Sequence, residues 1–259
     1  MIMHEHKSKD YEIELTMMIS DEDLKRYDRQ IRLFGVEGQK KLKKSKVFIA
    51  GAGGLGSPIS IYLTAAGVGK IVVVDQDVVE LSNLNRQILH WERDIGKKKA
   101  LSAQEKLIEM NSSLIIETIS DTLDENNASR LVGDADLIID ALDNFPARYL
   151  LNKIAIENKI PFIHGAINGF HGQAITVLPG ETACLRCIFR KPPTTSTFPV
   201  IGVTPGIIGL IQATEAIKYL TGVGELLSNK LLLWDGLKPS LDIIDMARDP
   251  MCMDCGGLV

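Results

Sequence analysis

The sequence predicts an α/β protein: a mostly parallel sheet with helices on both faces, an antiparallel extension and a site built from four cysteines. Three observations carry this. From Val47 onward, β-branched runs (VFIAG, IVVVD, LIIETIS, DLIIDAL) alternate with helix-like stretches, and continuous apolar strands separated by helices mark a parallel sheet covered on both faces. After Asp143 the chain gives a further helix, the strand PFIHGAI and a hairpin-like HGQAITVLPG. The cysteines form two pairs of identical spacing, Cys184-Leu-Arg-Cys187 and Cys252-Met-Asp-Cys255.

In chain order, residues 1–19 read as a loose N-terminal arm with a short edge strand at YEIEL, and residues 20–259 as one domain. Ser20, with Asp23 three residues on, makes a capping-box start for a helix through DEDLKRYDRQIRLF. Strand VFIAG leads through GAGGLGS into a helix at SPISIYLTAAG, then IVVVD, a helix through KKKALSAQEKLIEM, LIIETIS, a helix near DENNASRLV, DLIIDAL and the helix ARYLLNKIAIENK. Residues 190–206, RKPPTTSTFPVIGVTPG, read as a crossover loop before the helix IIGLIQATEAIKYLTG and a final strand KLLLWDG. No internal repeat stands out.

Lys and Arg number 29 against 33 Asp and Glu, so the charge of −4 gives no reason to expect a nucleic acid or a membrane as partner. The N-terminus has no continuous apolar core between its charges, so neither a signal peptide nor an anchor is expected and a cytoplasmic location follows. Two residues between thiolates let both sulfurs face one ion, and two such knuckles complete a tetrahedral Zn²⁺ site with no open position. Disulfides and a redox dithiol are the alternatives, the first disfavoured in a reducing compartment and the second needing no second pair. The roughly 60 residues between the pairs would let the metal staple the end of the chain to its middle.

Gly51-x-Gly53-Gly54-x-Gly56 lies between a strand and a helix, where glycine allows close backbone approach and the helix N-terminus offers free N–H groups to a phosphate. Asp75 ends the next strand about 20 residues on, the place for a carboxylate that accepts ribose hydroxyls. This is the Rossmann-like pattern, and alone it says only adenine nucleotide. The next segment, Ser82-Asn83-Leu84-Asn85-Arg86, with Lys97 to Lys99 beyond it, supplies donors and positive charge that suit a triphosphate better than a dinucleotide. Asp143 and Asn144 follow another strand at its carboxyl end, where open α/β sheets place ligands, and a carboxylate facing phosphates there fits Mg²⁺.

With RYDRQIRLFG, GAGGLGS, VVVDQDVVELSNLNRQ, IGKKKA, DALDN, both cysteine pairs and the late WDG in this order, the chain resembles the E1-like adenylyltransferases, the family of MoeB, ThiF and HesA, from about Ser20 to Cys255. The resemblance implies a homodimer that binds ATP and Mg²⁺ and condenses the C-terminal Gly-Gly carboxylate of a ubiquitin-like sulfur-carrier protein with the α-phosphate. It also implies that Gly54 lies along the nucleotide, Asp75 holds the ribose, Asn83, Arg86 and Lys99 hold the phosphates, Asp143 coordinates magnesium and Arg29 reaches into the partner's site.

These residue types fit the chemistry. Joining a carboxylate to a polyanion needs charge neutralisation and alignment rather than a covalent nucleophile, and Arg29, Arg86 and Lys99 supply the charge. Many relatives carry a crossover-loop cysteine where this chain has about Phe198, and all four cysteines here are committed to the proposed zinc site. The protein is therefore expected to stop at the acyl-adenylate, with a separate persulfide donor supplying sulfur and no appended rhodanese-like domain.

Blander roles stand beside these. Arg29 shares a helix face with Arg26 and Arg32, Lys97 to Lys99 could be a solvated helix start, Asp143-Asn144 a turn pair and Asp75 a helix cap. His164 and His171 are expected in packing or tail contacts. The alternatives to adenylation of a sulfur carrier are another acceptor (a peptide or a modified tRNA base), a nicotinamide-dependent oxidoreductase and a catalytically inert partner half.

Overall fold

The computed structural model describes residues 19–191, 199–238 and 240–257. One eight-stranded sheet runs through the chain in the order β3-β2-β1-β4-β5-β6-β7-β8. Its parallel part is β1 (Lys46–Ala50), β2 (Lys70–Val74), β3 (Ile115–Ile119), β4 (Leu137–Asp140) and β5 (Phe162–Asn168). Strands β6 (His171–Val177), β7 (Lys230–Asp235) and β8 (Ser240–Asp245) extend it antiparallel.

Helices α1 (Asp21–Arg26), α2 (Asp28–Lys44), α3 (Gly56–Ala66), α4 (Lys99–Met110), α5 (Ala128–Val132), α6 (Phe145–Asn158), α7 (Leu185–Ile188) and α8 (Val203–Thr221) complete the fold. Side chains alternate across a strand, and the two faces of the sheet bury separate cores. Val47 and Ile49 of β1 pack with Ile59 and Leu63 of α3, Leu107 of α4 and Ile208 of α8. Phe48 and Ala50 point the other way, among Leu131 of α5, Tyr149 and Leu151 of α6, Leu185 and the cysteines.

Ser20 caps α1 as expected, its Oγ accepting from Asp23 N at 3.1 Å while the Asp23 carboxylate accepts from Ser20 N at 2.9 Å. The single helix expected through residues 21–34 instead breaks at Tyr27, which is 3% exposed and whose hydroxyl accepts from Asn111 Nδ2 at 2.8 Å. Burying that ring is worth more than one unbroken helix. Strand β8 was not foreseen: SLDIID lies on an edge with most of its length exposed, so its pattern carries no buried face. Helix α8 begins at Val203, inside the expected crossover loop. Pro205 reads as a breaker but sits in the first turn, where its missing N–H has no helical partner to lose. Phe198 and almost all of the expected N-terminal arm lie outside the described residues. Among the described residues no helix is long and apolar enough to cross a membrane.

Candidate active site and cysteine cluster

A cleft of about 1270 Å³ runs along the carboxyl ends of the parallel strands and continues over β5, β6 and β7. Ligand pockets usually fall between about 300 and 1,000 Å³, so there is room for a nucleotide and part of a second substrate. The glycine turn closes one end. Gly51 takes φ +105°, and a Cβ on Gly56 would lie 1.9 Å from the Gly51 carbonyl oxygen. These two glycines are therefore required by the turn itself. Gly53 and Gly54 line the cleft, Gly54 beside Pro205 and Arg86.

The peptide of Ala52 is held from both sides. Its N–H donates to Asp75 at 2.8 Å, and its carbonyl lies 2.9 Å from His90 Nε2. Asp75 also accepts from Asp77 N at 2.9 Å while facing the cleft. His90 is buried, and its Nδ1 meets Ser102 Oγ at 2.9 Å. Since a carbonyl only accepts, Nε2 carries a proton. Burial, with Lys106 and Lys99 nearby, pushes its pKa below the ordinary histidine value.

Lys99, 5% exposed at the first residue of α4, lines the cleft with Nζ 2.9 Å from Asp77 Oδ2. A cation is disfavoured at a helix N-terminus, and the carboxylate compensates. Arg86 also lines the cleft, donating to Ser82 O at 2.8 Å and Asn85 Oδ1 at 3.0 Å. Ser82, Asn83, Leu84 and Asn85 do not line it. Asn83 is buried and accepts from Glu80 N at 3.1 Å to close a short 3₁₀ turn. The segment thus shapes the loop that carries Arg86. Gln87, which the sequence reading left without a role, faces the cleft 4% exposed with Oε1 unpartnered.

Asp143 is exposed in the cleft, and among the described residues it makes no hydrogen bond or ion pair. That leaves its oxygens open to a hard cation. Asn144 caps α6, accepting from Ala147 N at 3.0 Å. Below them a network that the sequence reading missed joins Asp140, 2.6 Å from His164 Nδ1 and 3.3 Å from Arg148 Nε. Arg29 is exposed on α2 and is not brought to the cleft of its own chain.

The four cysteine sulfurs lie within 4.8 Å of one another. Measured separations are 3.8 Å (Cys184 to Cys187), 3.6 Å (Cys184 to Cys252) and 3.4 Å (Cys187 to Cys255). All exceed a disulfide bond, and they match the ~3.8 Å edge of a tetrahedron with Zn–S of ~2.3 Å. Burial pushes the Cys184 thiol up, and that of Cys255 up to about 11, whereas at Cys187 hydrogen bonds, the Asp249 N–H among them, outweigh burial and lower it. The raised thiols would give up their protons most readily to a bound cation.

The sequence model of the ThiF family matches residues 27–254. The chain is 42% identical to the SAMP-activating enzyme E1 of Haloferax volcanii, over 93% of this chain and 92% of that protein. It is 43% identical to the sulfur carrier protein adenylyltransferase of Thermus thermophilus, over 93% of each. Among solved structures it resembles E. coli MccB with ATP, at a TM-score of 0.82 and 25% identity, covering 90% of this chain and 74% of that one. Matched over residues 27–254 by the family's sequence model and over 93% of its length by these two relatives, the chain belongs to the ThiF family.

Proposed function

We propose that the chain adenylates the C-terminal glycine of a ubiquitin-like sulfur-carrier protein ending in Gly-Gly, for molybdopterin- or thiamine-type sulfur transfer. The observation that carries this is one cleft that joins a glycine turn, Arg86, Lys99 and the unpartnered Asp143 to a second half over β5, β6 and β7 with no Lys or Arg in its lining. The relatives' names support the choice of acceptor.

A carrier carboxylate oxygen attacks the α-phosphorus of ATP, an acyl–O–P bond forms, the bond to the β-phosphate oxygen breaks and pyrophosphate leaves. No base is needed, because the carboxylate is already ionised. Backbone N–H groups at the turn and Asp75 seat the nucleotide, while Arg86 and Lys99 neutralise charge that would repel the carboxylate. Magnesium at Asp143 would withdraw charge from the phosphates and improve the leaving group. Zinc at Cys184, Cys187, Cys252 and Cys255 would act structurally, pinning the chain's end. Arg29 is assigned to the cleft of a partner copy in a homodimer, since its own cleft lies elsewhere. Sulfur would come from a separate persulfide donor.

Pyrophosphate–ATP exchange with carriers ending in Gly-Gly tests this. Carrier-dependent exchange, reduced about 10²- to 10³-fold in Arg29→Ala and Asp143→Ala, is expected. Exchange supported by no intact carrier, but by a peptide or a tRNA, would replace the carrier with that acceptor.

A further inference from the structure

The half of the cleft over β5, β6 and β7 contains a polar group whose direction is set from beneath. Gln173 stands on β6 opposite Ala166 of β5 and Leu233 of β7, and lines the cleft. Its amide nitrogen lies 3.2 Å from Nε2 of His164, which is fully buried on β5. Nδ1 of the same ring is 2.6 Å from Asp140 Oδ2.

A carboxylate only accepts, so Nδ1 carries the imidazole proton. Asp140 is also fully buried and has Arg148 from α6 at 3.3 Å, so its charge is already balanced. These are the charged groups that face His164; Phe189 packs edge-on and Gln212 from α8 donates to the Asp140 carbonyl. Burial keeps the imidazole neutral at physiological pH, its pKa below the ordinary value. Nε2 is therefore an acceptor. Gln173 has to turn its NH₂ down to it, which leaves Oε1 as the group offered to the cleft.

Strand order separates this acceptor from the nucleotide. The glycine turn follows β1, Asp75 follows β2 and Asp143 follows β4, whereas Gln173 is two strands further, about 10 Å at the usual strand spacing. On its own face of the sheet Gln173 has Ala166 and Leu233 directly beside it and Asp242 one strand further, all lining the cleft; none of these neighbours is a cation, which suits a polypeptide chain rather than phosphates.

We propose that Gln173 Oε1 accepts a backbone N–H of the acceptor protein's C-terminal segment, holding its terminal carboxylate toward the α-phosphate, and that His164 is the positioning residue that fixes the amide's direction. This rests on the adenylation reading above. A backbone contact of this kind recognises a tail of small residues without a charged partner, as a Gly-Gly terminus requires.

The test has two arms. In the first, pyrophosphate–ATP exchange is measured with a Gly-Gly carrier protein, varying carrier and ATP separately, for the wild-type chain and for Gln173→Met, which keeps the side-chain length and removes its hydrogen bonds, the one to His164 Nε2 included, while leaving the His164–Asp140 contact in place. The expected result is a rise of about tenfold in KM for the carrier with KM for ATP unchanged. An unchanged carrier KM, or an equal rise in both, overturns the proposal. Absence of exchange in the wild type would instead show that the adenylation reading is at fault and remove the acceptor assignment with it. In the second arm, ¹⁵N NMR reads the His164 ring near pH 7. A protonated Nδ1 with a bare Nε2 is expected, and a ring protonated at Nε2 would overturn the positioning role whatever the kinetics show.

Discussion

The glycine turn and the cysteine cluster are held by different means within the same fold. At the turn, protein atoms suffice: the Ala52 peptide has Asp75 on its N–H and His90 on its carbonyl, and the glycines make room for one another. At the cluster, four sulfurs converge from two distant parts of the chain, and thiols alone make only weak hydrogen bonds. One region is complete before ligand arrives, whereas the other would gain its strength from the proposed ion. A nucleotide site benefits from such preorganisation, because the turn need not be ordered at the expense of binding.

The largest effect expected is at the turn. Gly56→Ala places a methyl 1.9 Å from the Gly51 carbonyl oxygen, a clash with backbone that costs about 4 kcal/mol or more. Chemical denaturation should show this loss, together with loss of the thermal stabilisation that ATP confers. Near-wild-type stability would mean the turn adapts and is less preorganised than drawn.

Cys252→Ser should come next. It is expected to lose stoichiometric zinc by elemental analysis and to lower Tm by roughly 10 °C, while a stabilising shift with ATP persists because the turn does not depend on the ion. Equal damage to ATP binding would erase the contrast between the regions.

A smaller effect is expected from His90→Ala, which leaves the Ala52 carbonyl without its donor, at a cost of about 1–3 kcal/mol. The account predicts a raised KM for ATP with KM for the carrier unaffected.

The gentlest probe is pH. His90 and His164 are buried neutral with lowered pKa values, so the unfolded chain binds their protons first. Their contribution is fully present above pH ~6.5 and declines as pH falls through that unfolded-state value, by up to about 1.4 kcal/mol per pH unit for each histidine. Urea midpoints between pH 5 and 7.5 check this, and stability that rises on acidification would contradict it.

The parts legible in sequence were those specified locally. The glycine turn, Asp75 at the next strand's end, the β-branched runs and the paired cysteine spacing each depend on a few neighbouring residues, and all appear where expected. Positions whose role depends on a remote partner were not legible. Asn83, expected at the phosphates, also closes its own loop through Glu80 N, a contact the sequence does not announce. Nothing near His90 in sequence announces that it meets Ala52, 38 residues away, and the Asp140, His164 and Arg148 set comes from two strands and a helix. Tyr27 broke a helix whose local pattern was continuous, because its ring had a buried site and Asn111 to bond.

The most direct test of the central claim is the intact mass of a Gly-Gly carrier after incubation with the protein, ATP, Mg²⁺ and pyrophosphatase. The account predicts a gain of one adenylate, placed at the carrier's C-terminal glycine by fragmentation and absent with Asp143→Ala. An unmodified carrier, under conditions where ATP demonstrably raises the Tm of the protein, would contradict it.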